Sequence, residues 1–209
     1  MNIKKSKVYF KLGYFRIFHA DPDIVGVDIY VDDKLVAEDL VFGEATAYLP
    51  VLKNNYKVSI YEAGTNNILL TRFVSVATDE IITLALAGSK TSNEDGANFL
   101  LIPDAHLIIN PEKSMLCFIN LSPNVPSVDV TLTDGTVLFS NVSYREITPY
   151  LSLDPGIYNL QIRITGTSEV LLEVPNIVLE ADTYYSIYLI GLLGGEPPLQ
   201  TVFLMDGFK

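Results

Sequence analysis

The sequence predicts an all-β protein built from two tandem immunoglobulin-like antiparallel β-sandwich domains. Three observations lead to this prediction. The chain repeats itself at a displacement of about 100 residues, apolar and polar residues alternate at the period of a β-strand, and no segment shows the helical period. Turn residues interrupt the alternating runs every ~8 to 12 residues, a spacing typical of antiparallel sandwiches.

The repeat begins with FRIFHADPDIVGVDIYV at Phe15 to Val31, which returns as LCFINLSPNVPSVDVTL at Leu116 to Leu132, displaced by 101 residues. Further along, Tyr48 corresponds to Tyr150 at a displacement of 102 residues. The matches keep their order and the insertions fall at turns, so we expect two homologous domains. The predicted boundaries are a basic N-terminal arm at residues 1–12, a first sandwich at 13–109 and a second at 110–209.

The strands of the first domain follow from alternation and turn chemistry. The first covers Tyr14 to His19 and ends at an Asp-Pro turn, where proline fixes φ and aspartate favours a turn. The next places Val27, Ile29 and Val31 on one face, as in a half-buried strand. Further strands are expected at Leu35 to Leu40, Thr46 to Leu49, Tyr56 to Tyr61, Ile68 to Val76, Glu80 to Leu86 and Phe99 to Ile102. Their counterparts in the second domain are Val128 to Leu132, Val137 to Val142, Thr148 to Leu151, Tyr158 to Ile164, Val170 to Leu179, Tyr184 to Ile190 and Thr201 to Met205.

Composition and charge exclude several functions. The 209 residues carry a net charge of −11, and beyond residue 11 the remaining 10 basic and 25 acidic residues give −15. A surface this acidic repels phosphate backbones, so we expect no nucleic-acid partner. The single cysteine, Cys117, cannot form an internal disulfide. Neither a signal peptide nor an apolar run of the ~20 residues that a membrane span requires is visible.

Three motifs carry a family resemblance: HADPD at His19 to Asp23, VDIYVD at Val27 to Asp32, and FGEATAY at Phe42 to Tyr48. Together they resemble the bacterial family called domain of unknown function 4397. In the second copy Asn120 replaces the histidine and Ser122 replaces Asp21. The resemblance implies tandem β-sandwiches, often in envelope or secreted proteins, and it supplies no activity and no catalytic residues.

His19 is the residue most suggestive of chemistry, since Asp21, Asp23 and Asp28 lie near it in sequence and a histidine with carboxylates can act as a base or metal ligand. The alternative is a structural histidine that closes a strand and donates a hydrogen bond to the next turn. Asn120 in the second copy favours this alternative, because asparagine keeps hydrogen bonding but cannot transfer protons. The acids lack the spacing of an EF-hand calcium loop, and no nucleophile or phosphate-binding motif is present.

Tyr30 and Tyr61 fall on the polar phase of their strands, where exposed aromatic rings can stack on a sugar or anchor a protein. The simpler interpretation is a cross-strand pair that covers the sheet. Tyr48 and Tyr150 are expected to fix a corner by hydrogen bonding. The candidate ligand-binding residues are His19, Asp21, Asp28, Tyr30 and Tyr61.

The leading functional hypothesis is a non-enzymatic binding or structural module, with no catalytic residues, metal or cofactor. Its expected partner is a protein or a polysaccharide, and the resemblance favours the cell envelope. The alternatives are a metal-assisted hydrolase using His19 and the nearby aspartates, and a cytosolic or spore-associated assembly subunit.

Overall fold

A computed structural model of the chain describes residues 11–88, 98–104 and 111–207. Within these ranges the backbone forms sixteen β-strands and no helix. The predicted arm at residues 1–12 lies outside the described ranges except for its last two residues, and Leu12 already belongs to the first strand.

The first half of the chain holds eight strands, β1 (Leu12–His19), β2 (Gly26–Val31), β3 (Lys34–Val41), β4 (Leu49–Leu52), β5 (Asn54–Glu62), β6 (Ile68–Val76), β7 (Ile81–Ala87) and β8 (Asn98–Pro103). The second half repeats them as β9 (Ser114–Asn120), β10 (Val128–Leu132), β11 (Val137–Val142), β12 (Leu151–Leu153), β13 (Gly156–Ile164), β14 (Val170–Leu179), β15 (Thr183–Ile190) and β16 (Gln200–Asp206).

These strands form four sheets of four strands each. The first half contributes a first outer sheet of order β3-β2-β5-β6 and a first inner sheet of order β4-β1-β7-β8. The second half contributes a second outer sheet of order β11-β10-β13-β14 and a second inner sheet of order β12-β9-β15-β16. The predicted pair of tandem β-sandwiches is therefore confirmed.

One pairing in each half was not anticipated from the sequence. The strand pairs are antiparallel throughout the described ranges except that β1 pairs with β7 in parallel, from Tyr14 opposite Ile81 to His19 opposite Leu86, and β9 pairs with β15 in the same way. Each inner sheet is therefore mixed, and its two central strands are the first strand and the seventh strand of the repeat.

Each sandwich has its own apolar core between its inner and outer sheets. In the first, Phe15 and Ile17 of β1 pack with Ile29 of β2 and Ile60 of β5, all fully buried. In the second, Leu116, Phe118 and Ile162 occupy the corresponding region. Ile29, Ile60 and Ile162 belong to the alternating phases that the sequence predicted, whereas no phase was predicted for the first strand of either repeat.

A third core joins the two halves. It combines Phe18, Ala85 and Ile102 of the first inner sheet with Ile119 and Tyr188 of the second inner sheet. The rings of Phe18 and Tyr188 lie 4.6 Å apart between centroids. The outward faces of the two inner sheets therefore pack on each other, and the order of layers is outer, inner, inner, outer.

The segments predicted as strands at Thr46 to Leu49 and Thr148 to Leu151 are shifted. The fourth strand of each repeat begins at its leucine instead, as β4 (Leu49–Leu52) and β12 (Leu151–Leu153). The reason lies in the threonine, because the Ile17 amide donates to Thr46 Oγ1 at 3.0 Å while the Thr46 amide donates to the Ile17 carbonyl at 2.9 Å. A side-chain hydroxyl thus replaces a backbone carbonyl, and regular pairing starts only after it.

Candidate functional site

His19 and Asp21 lie together at the end of β1, away from solvent. His19 is fully buried and Asp21 is 2% exposed. The Asp21 amide donates to His19 Nδ1 at 3.4 Å, and the Asp23 amide donates to Asp21 Oδ1 at 3.0 Å. His19 therefore caps the turn, as the structural interpretation expected, but through an acceptor nitrogen. Burial lowers the pKa of His19 to about 4, against the raising effect of a backbone hydrogen bond at Ile24.

The second repeat shows that this turn does not need an imidazole. There the Ser122 amide donates to Asn120 Oδ1 at 3.1 Å, and Asn120 Nδ2 donates to the Val142 carbonyl at 3.2 Å. The amide side chain thus makes the same turn contact with no group that titrates.

Asp28 connects a bulge in β3 to the turn that follows β5. Its Oδ1 accepts from the Asp39 amide at 2.8 Å and its Oδ2 accepts from the Gly64 amide at 3.0 Å. Asp129 repeats this pattern with the Asn141 and Gly166 amides at 2.7 and 3.3 Å. Because Asp39 and Asn141 both adopt positive φ, the carboxylate stabilises a bulged hairpin in each repeat.

Tyr30 and Tyr61 meet on the outward surface of the first outer sheet. Their rings lie 4.9 Å apart between centroids at an interplanar angle of 61°, and both are half-buried. Between the strands below them, Thr71 Oγ1 donates to Ser59 Oγ at 3.1 Å. Phe73, on the same side of β6, is 69% exposed. We call these five residues the aromatic face.

The matching surface of the second outer sheet has different chemistry. Thr131 and Arg163 occupy the positions of Tyr30 and Tyr61, and Gln161 and Glu173 replace Ser59 and Thr71. In place of Phe73 the register shifts around Pro175–Asn176, where the Asn176 amide donates to Asn159 Oδ1 at 2.9 Å. The fold is the same in both repeats, so the aromatic residues of the first are not required by the sheet itself.

A buried polar cluster crosses the third core. Arg16 of β1 donates from Nε to Thr83 Oγ1 at 2.7 Å, from Nη1 to the Met205 carbonyl at 2.8 Å and from Nη2 to Asp206 Oδ1 at 2.5 Å. Its Nη2 also lies 3.9 Å from Asp104 Oδ2. Arg16 thus connects two carboxylates from opposite halves of the chain.

The two carboxylates have matching partners. Asp104 Oδ2 accepts from Tyr48 and Thr83, each at 2.6 Å. Asp206 Oδ2 accepts from Tyr150 at 2.8 Å and from Ser186 at 2.5 Å. Tyr48 and Tyr150 thus make the hydrogen bonds expected of them, although they hold the domain interface as well as their own corners. The joint cluster consists of Arg16, Tyr48, Thr83, Asp104, Tyr150, Ser186 and Asp206.

The two repeats contribute matching residues to the joint cluster, except that only the first repeat contributes a cation. Asp104 and Asp206 correspond in the repeat, as do Tyr48 and Tyr150, but Cys117 stands where the first repeat has Arg16. Cys117 Sγ lies 3.0 Å from Ser186 Oγ, and burial raises the pKa of its thiol to about 12. One guanidinium therefore serves two buried carboxylates.

The electrostatics of the joint cluster follow from this imbalance. Burial raises the pKa of Asp104 to about 7, the charge of Asp206 adds to the rise, and Arg16 opposes it. Burial also raises the pKa of Asp206, with Arg16 and the Ser186 and Tyr150 hydroxyls opposing the rise. For Arg16, burial alone would lower the pKa, but the tyrosines Tyr188 and Tyr48 and the two carboxylates raise it above its ordinary value.

The described residues contain no group of three or more histidine, cysteine or acidic side chains arranged to hold a metal ion. Over the same ranges, no helix is long and apolar enough to cross a membrane. Of the five predicted ligand-binding residues, the structure brings Tyr30 and Tyr61 together beside Asp28, whereas His19 and Asp21 lie buried at the end of β1 and in the turn that follows it. Ligand binding at these residues stays a prediction.

Comparison with known proteins gave one family and distant structural neighbours. A family described as Domain of unknown function (DUF4397) matches residues 13–131 and 114–207. No curated protein matches the chain. Among solved structures, the Bacillus anthracis TIE protein is 11% identical with a TM-score of 0.29, and the match covers 91% of this chain and 51% of that one. The chain thus spans about half of that structure. A family 26 carbohydrate-binding module from Eubacterium rectale Amy13K, solved with maltoheptaose, is 11% identical with a TM-score of 0.28, covering 91% of this chain and 96% of that one.

Proposed function

The chain belongs to the DUF4397 family, and on that premise we propose that it is a non-enzymatic binding module whose aromatic face takes a neutral polysaccharide. The observation that carries this proposal is the contrast between two outer sheets of the same fold. The first carries the half-buried rings of Tyr30 and Tyr61 beside an exposed Phe73. The second has Thr131, Arg163 and Pro175 at the matching positions and no aromatic ring there. The fold does not require these aromatic rings, and exposing their apolar surface to water is unfavourable. Apolar surface patches of this kind are typical of binding sites.

The chemistry of the aromatic face fits a sugar. Aromatic rings offer flat apolar surface to the C–H faces of a sugar ring, and the adjacent Thr71 hydroxyl, which donates to the buried Ser59, is an uncharged hydrogen-bonding group. The one cation beside them, Lys57, is paired with Asp33 at 2.9 Å. A net charge of −11 disfavours anionic polymers. A neutral polysaccharide therefore fits better than teichoic acid or nucleic acid.

The proposal that the protein is not an enzyme has separate support. His19 and Asp21, the residues of the hydrolase alternative, are buried and occupied in closing a turn. Asp28 is committed to two backbone amides. A general base must reach the proton it abstracts, and a substrate has no access to these groups in this conformation.

Affinity electrophoresis tests the binding proposal. The full chain is run in gels containing a soluble α-glucan, β-glucan or galactomannan, beside the variants Tyr61→Ala and Phe73→Ala. We expect retardation of the unmodified chain in at least one gel and its loss in both variants. Arg163→Ala, at the position of Tyr61 in the second repeat, is the matched control and should migrate like the unmodified chain.

Absence of retardation in every gel contradicts a polysaccharide ligand. Retardation that survives in both aromatic variants moves the ligand to another surface. Binding of a protein by the same face, lost in the same variants, would replace the polysaccharide with the alternative partner.

We also propose that the protein acts at the cell envelope, where polysaccharides are abundant and where the family resemblance places related proteins. Fractionation of the host into cytosol, membrane, wall and medium tests this. Recovery from the wall or the medium is the expected result, and recovery from the cytosol alone favours the assembly-subunit alternative.

A further inference from the structure

The joint between the two sandwiches buries more acidic groups than basic groups. Two carboxylates, Asp104 at 4% exposed and Asp206 at 5% exposed, face a single guanidinium, Arg16 at 4% exposed. The surrounding third core is apolar, including Phe18, Ile102 and Tyr188. Burying a second negative charge without a counter-ion is costly, so the group takes up a proton instead.

Hydrogen bonding shows which carboxylate is short of partners. Asp206 uses both oxygens, with Arg16 on Oδ1 and two hydroxyls on Oδ2. Asp104 receives two hydroxyl bonds on Oδ2, whereas its buried Oδ1 has no partner among the described residues. A proton is therefore easiest to keep on Asp104.

We propose that the joint between the two sandwiches is a pH-sensitive contact, held closed by a proton retained on the Asp104–Asp206 pair and loosened when that proton leaves. With the proton, the joint holds one positive and one negative charge. Without it, the joint holds two negative charges and one positive charge in an apolar layer. The separated inner sheets would expose both carboxylates to water, where ionisation carries no such penalty.

The groups that face the pair come from every element packed around it. They are Arg16 of β1, Tyr48 before β4, Thr83 of β7, Cys117 of β9, Tyr150 before β12, and Ser186 and Tyr188 of β15. Arg16 stays charged at all relevant pH values, and burial raises the pKa of the Tyr48, Tyr188 and Cys117 side chains. In this set, Asp104 has a pKa near neutral pH, and burial raises the pKa of Asp206 as well.

The direction of the effect follows from linkage. The pKa of Asp104 is about 7 in the closed joint and returns toward 3.8 when the carboxyl is exposed. The stabilising contribution is complete below about pH 4, declines as the pH rises to about 7, and is constant above that. One proton released on opening changes the opening equilibrium by up to about tenfold per pH unit.

Cys117 provides a native reporter of opening. It is the only cysteine of the chain, it lies in the third core at 1% exposed, and it contacts Ser186 of the joint cluster. A thiol reagent can reach it only when the joint opens or the protein unfolds. Dividing the labelling rate of the folded chain by that of the urea-unfolded chain at the same pH removes the titration of the thiol itself.

The experiment measures this ratio for the full chain from pH 5 to 9 with a maleimide. We expect the ratio to rise with pH toward neutrality, by up to about tenfold per unit, and to level off above about pH 7. Asp104→Asn should give a flat profile because it cannot lose the proton. Glu173→Gln, on the second outer sheet, should keep the profile of the unmodified chain. A flat profile for the unmodified chain, or the same rise in Asp104→Asn, overturns the proposal.

Two further measurements keep the proposal testable. Far-UV circular dichroism at each pH separates opening of the joint from loss of the sheets, which must remain intact. If Asp104→Asn does not fold, carbon-13 NMR of the aspartate carboxyls in the unmodified chain replaces it. All buried aspartates titrating near pH 4 would then contradict the retained proton.

Discussion

Replacing Arg16 by methionine tests whether the joint cluster depends on its single cation. Methionine keeps much of the apolar stem, so packing against the third core changes little. The variant removes three hydrogen bonds, to Thr83, the Met205 carbonyl and Asp206. It leaves two buried carboxylates with no positive charge between them.

The loss in free energy of unfolding depends on the two uncompensated carboxylates as well as on the lost hydrogen bonds. Removing one partner of a buried ion pair costs about 3–5 kcal/mol, because the remaining charge is left uncompensated. Protonation limits the loss at low pH, since a neutral carboxyl needs no counter-ion. We therefore expect the free energy of unfolding to fall by about 3–5 kcal/mol at pH 8 and by less at pH 5.

Urea denaturation of the full chain at both pH values measures this loss, and Arg16→Met/Asp206→Asn completes a double-mutant cycle with Asp206→Asn. The double variant should be more stable than Arg16→Met alone, because only one carboxylate then remains without a cation. A loss below about 1 kcal/mol at pH 8 would show that water reaches the cluster and that the joint is not dry. A loss independent of pH would refute the assignment of the effect to the two carboxylates.

Substitutions at four further positions test individual contacts by urea denaturation. Tyr188→Phe removes a buried hydroxyl that has no partner among the described residues and should raise the free energy of unfolding by about 1 kcal/mol. Tyr150→Phe loses a hydrogen bond to Asp206 and should lower the free energy of unfolding. His19→Asn should remove an acid-sensitive contribution, because the pKa of His19 falls from 6.5 to about 4 on folding. The free energy of unfolding of the unmodified chain, measured relative to that of the variant, should therefore fall by about 3 kcal/mol as the pH drops from 6.5 to 4, and an unchanged difference contradicts this origin. Thr148→Val leaves the Phe118 amide without its acceptor at 2.9 Å and should cost about 1–3 kcal/mol, whereas Thr148→Ser should cost much less.

Sequence alone could predict the two sandwiches because local chemistry repeats along the chain. Alternation placed Val27 and Ile29 on one face of their strand, and the structure buries both completely in the first core. Turn residues separated the strands at nearly the observed positions. The strands predicted to begin at Thr46 and Thr148 begin later in the structure, because the threonine hydroxyl accepts the hydrogen bond that a backbone carbonyl would accept in a regular strand. The alternation of apolar residues does not reveal such side-chain hydrogen bonds.

The third core could not be predicted in the same way, since nothing local says which sheet faces meet. One signal was nevertheless present. All seven residues of β7 and all eight of β15 are buried, and runs apolar on both phases indicate a strand covered on both faces. The sequence also contains a signal for the joint cluster, since Asp104 and Asp206 are separated by the same 102 residues as Tyr48 and Tyr150.

Two departures from the symmetry of the repeat lie on opposite faces of the first sandwich. Its inner sheet supplies Arg16, the cation that both halves share, and its outer sheet carries Tyr30, Tyr61 and Phe73. A duplicated scaffold that served only as a spacer would need neither difference, because the second repeat forms the same sheets without them. The first sandwich therefore combines the proposed binding surface with the charge that fixes its neighbour, and loosening of the joint would change how rigidly the aromatic face is held relative to the second sandwich.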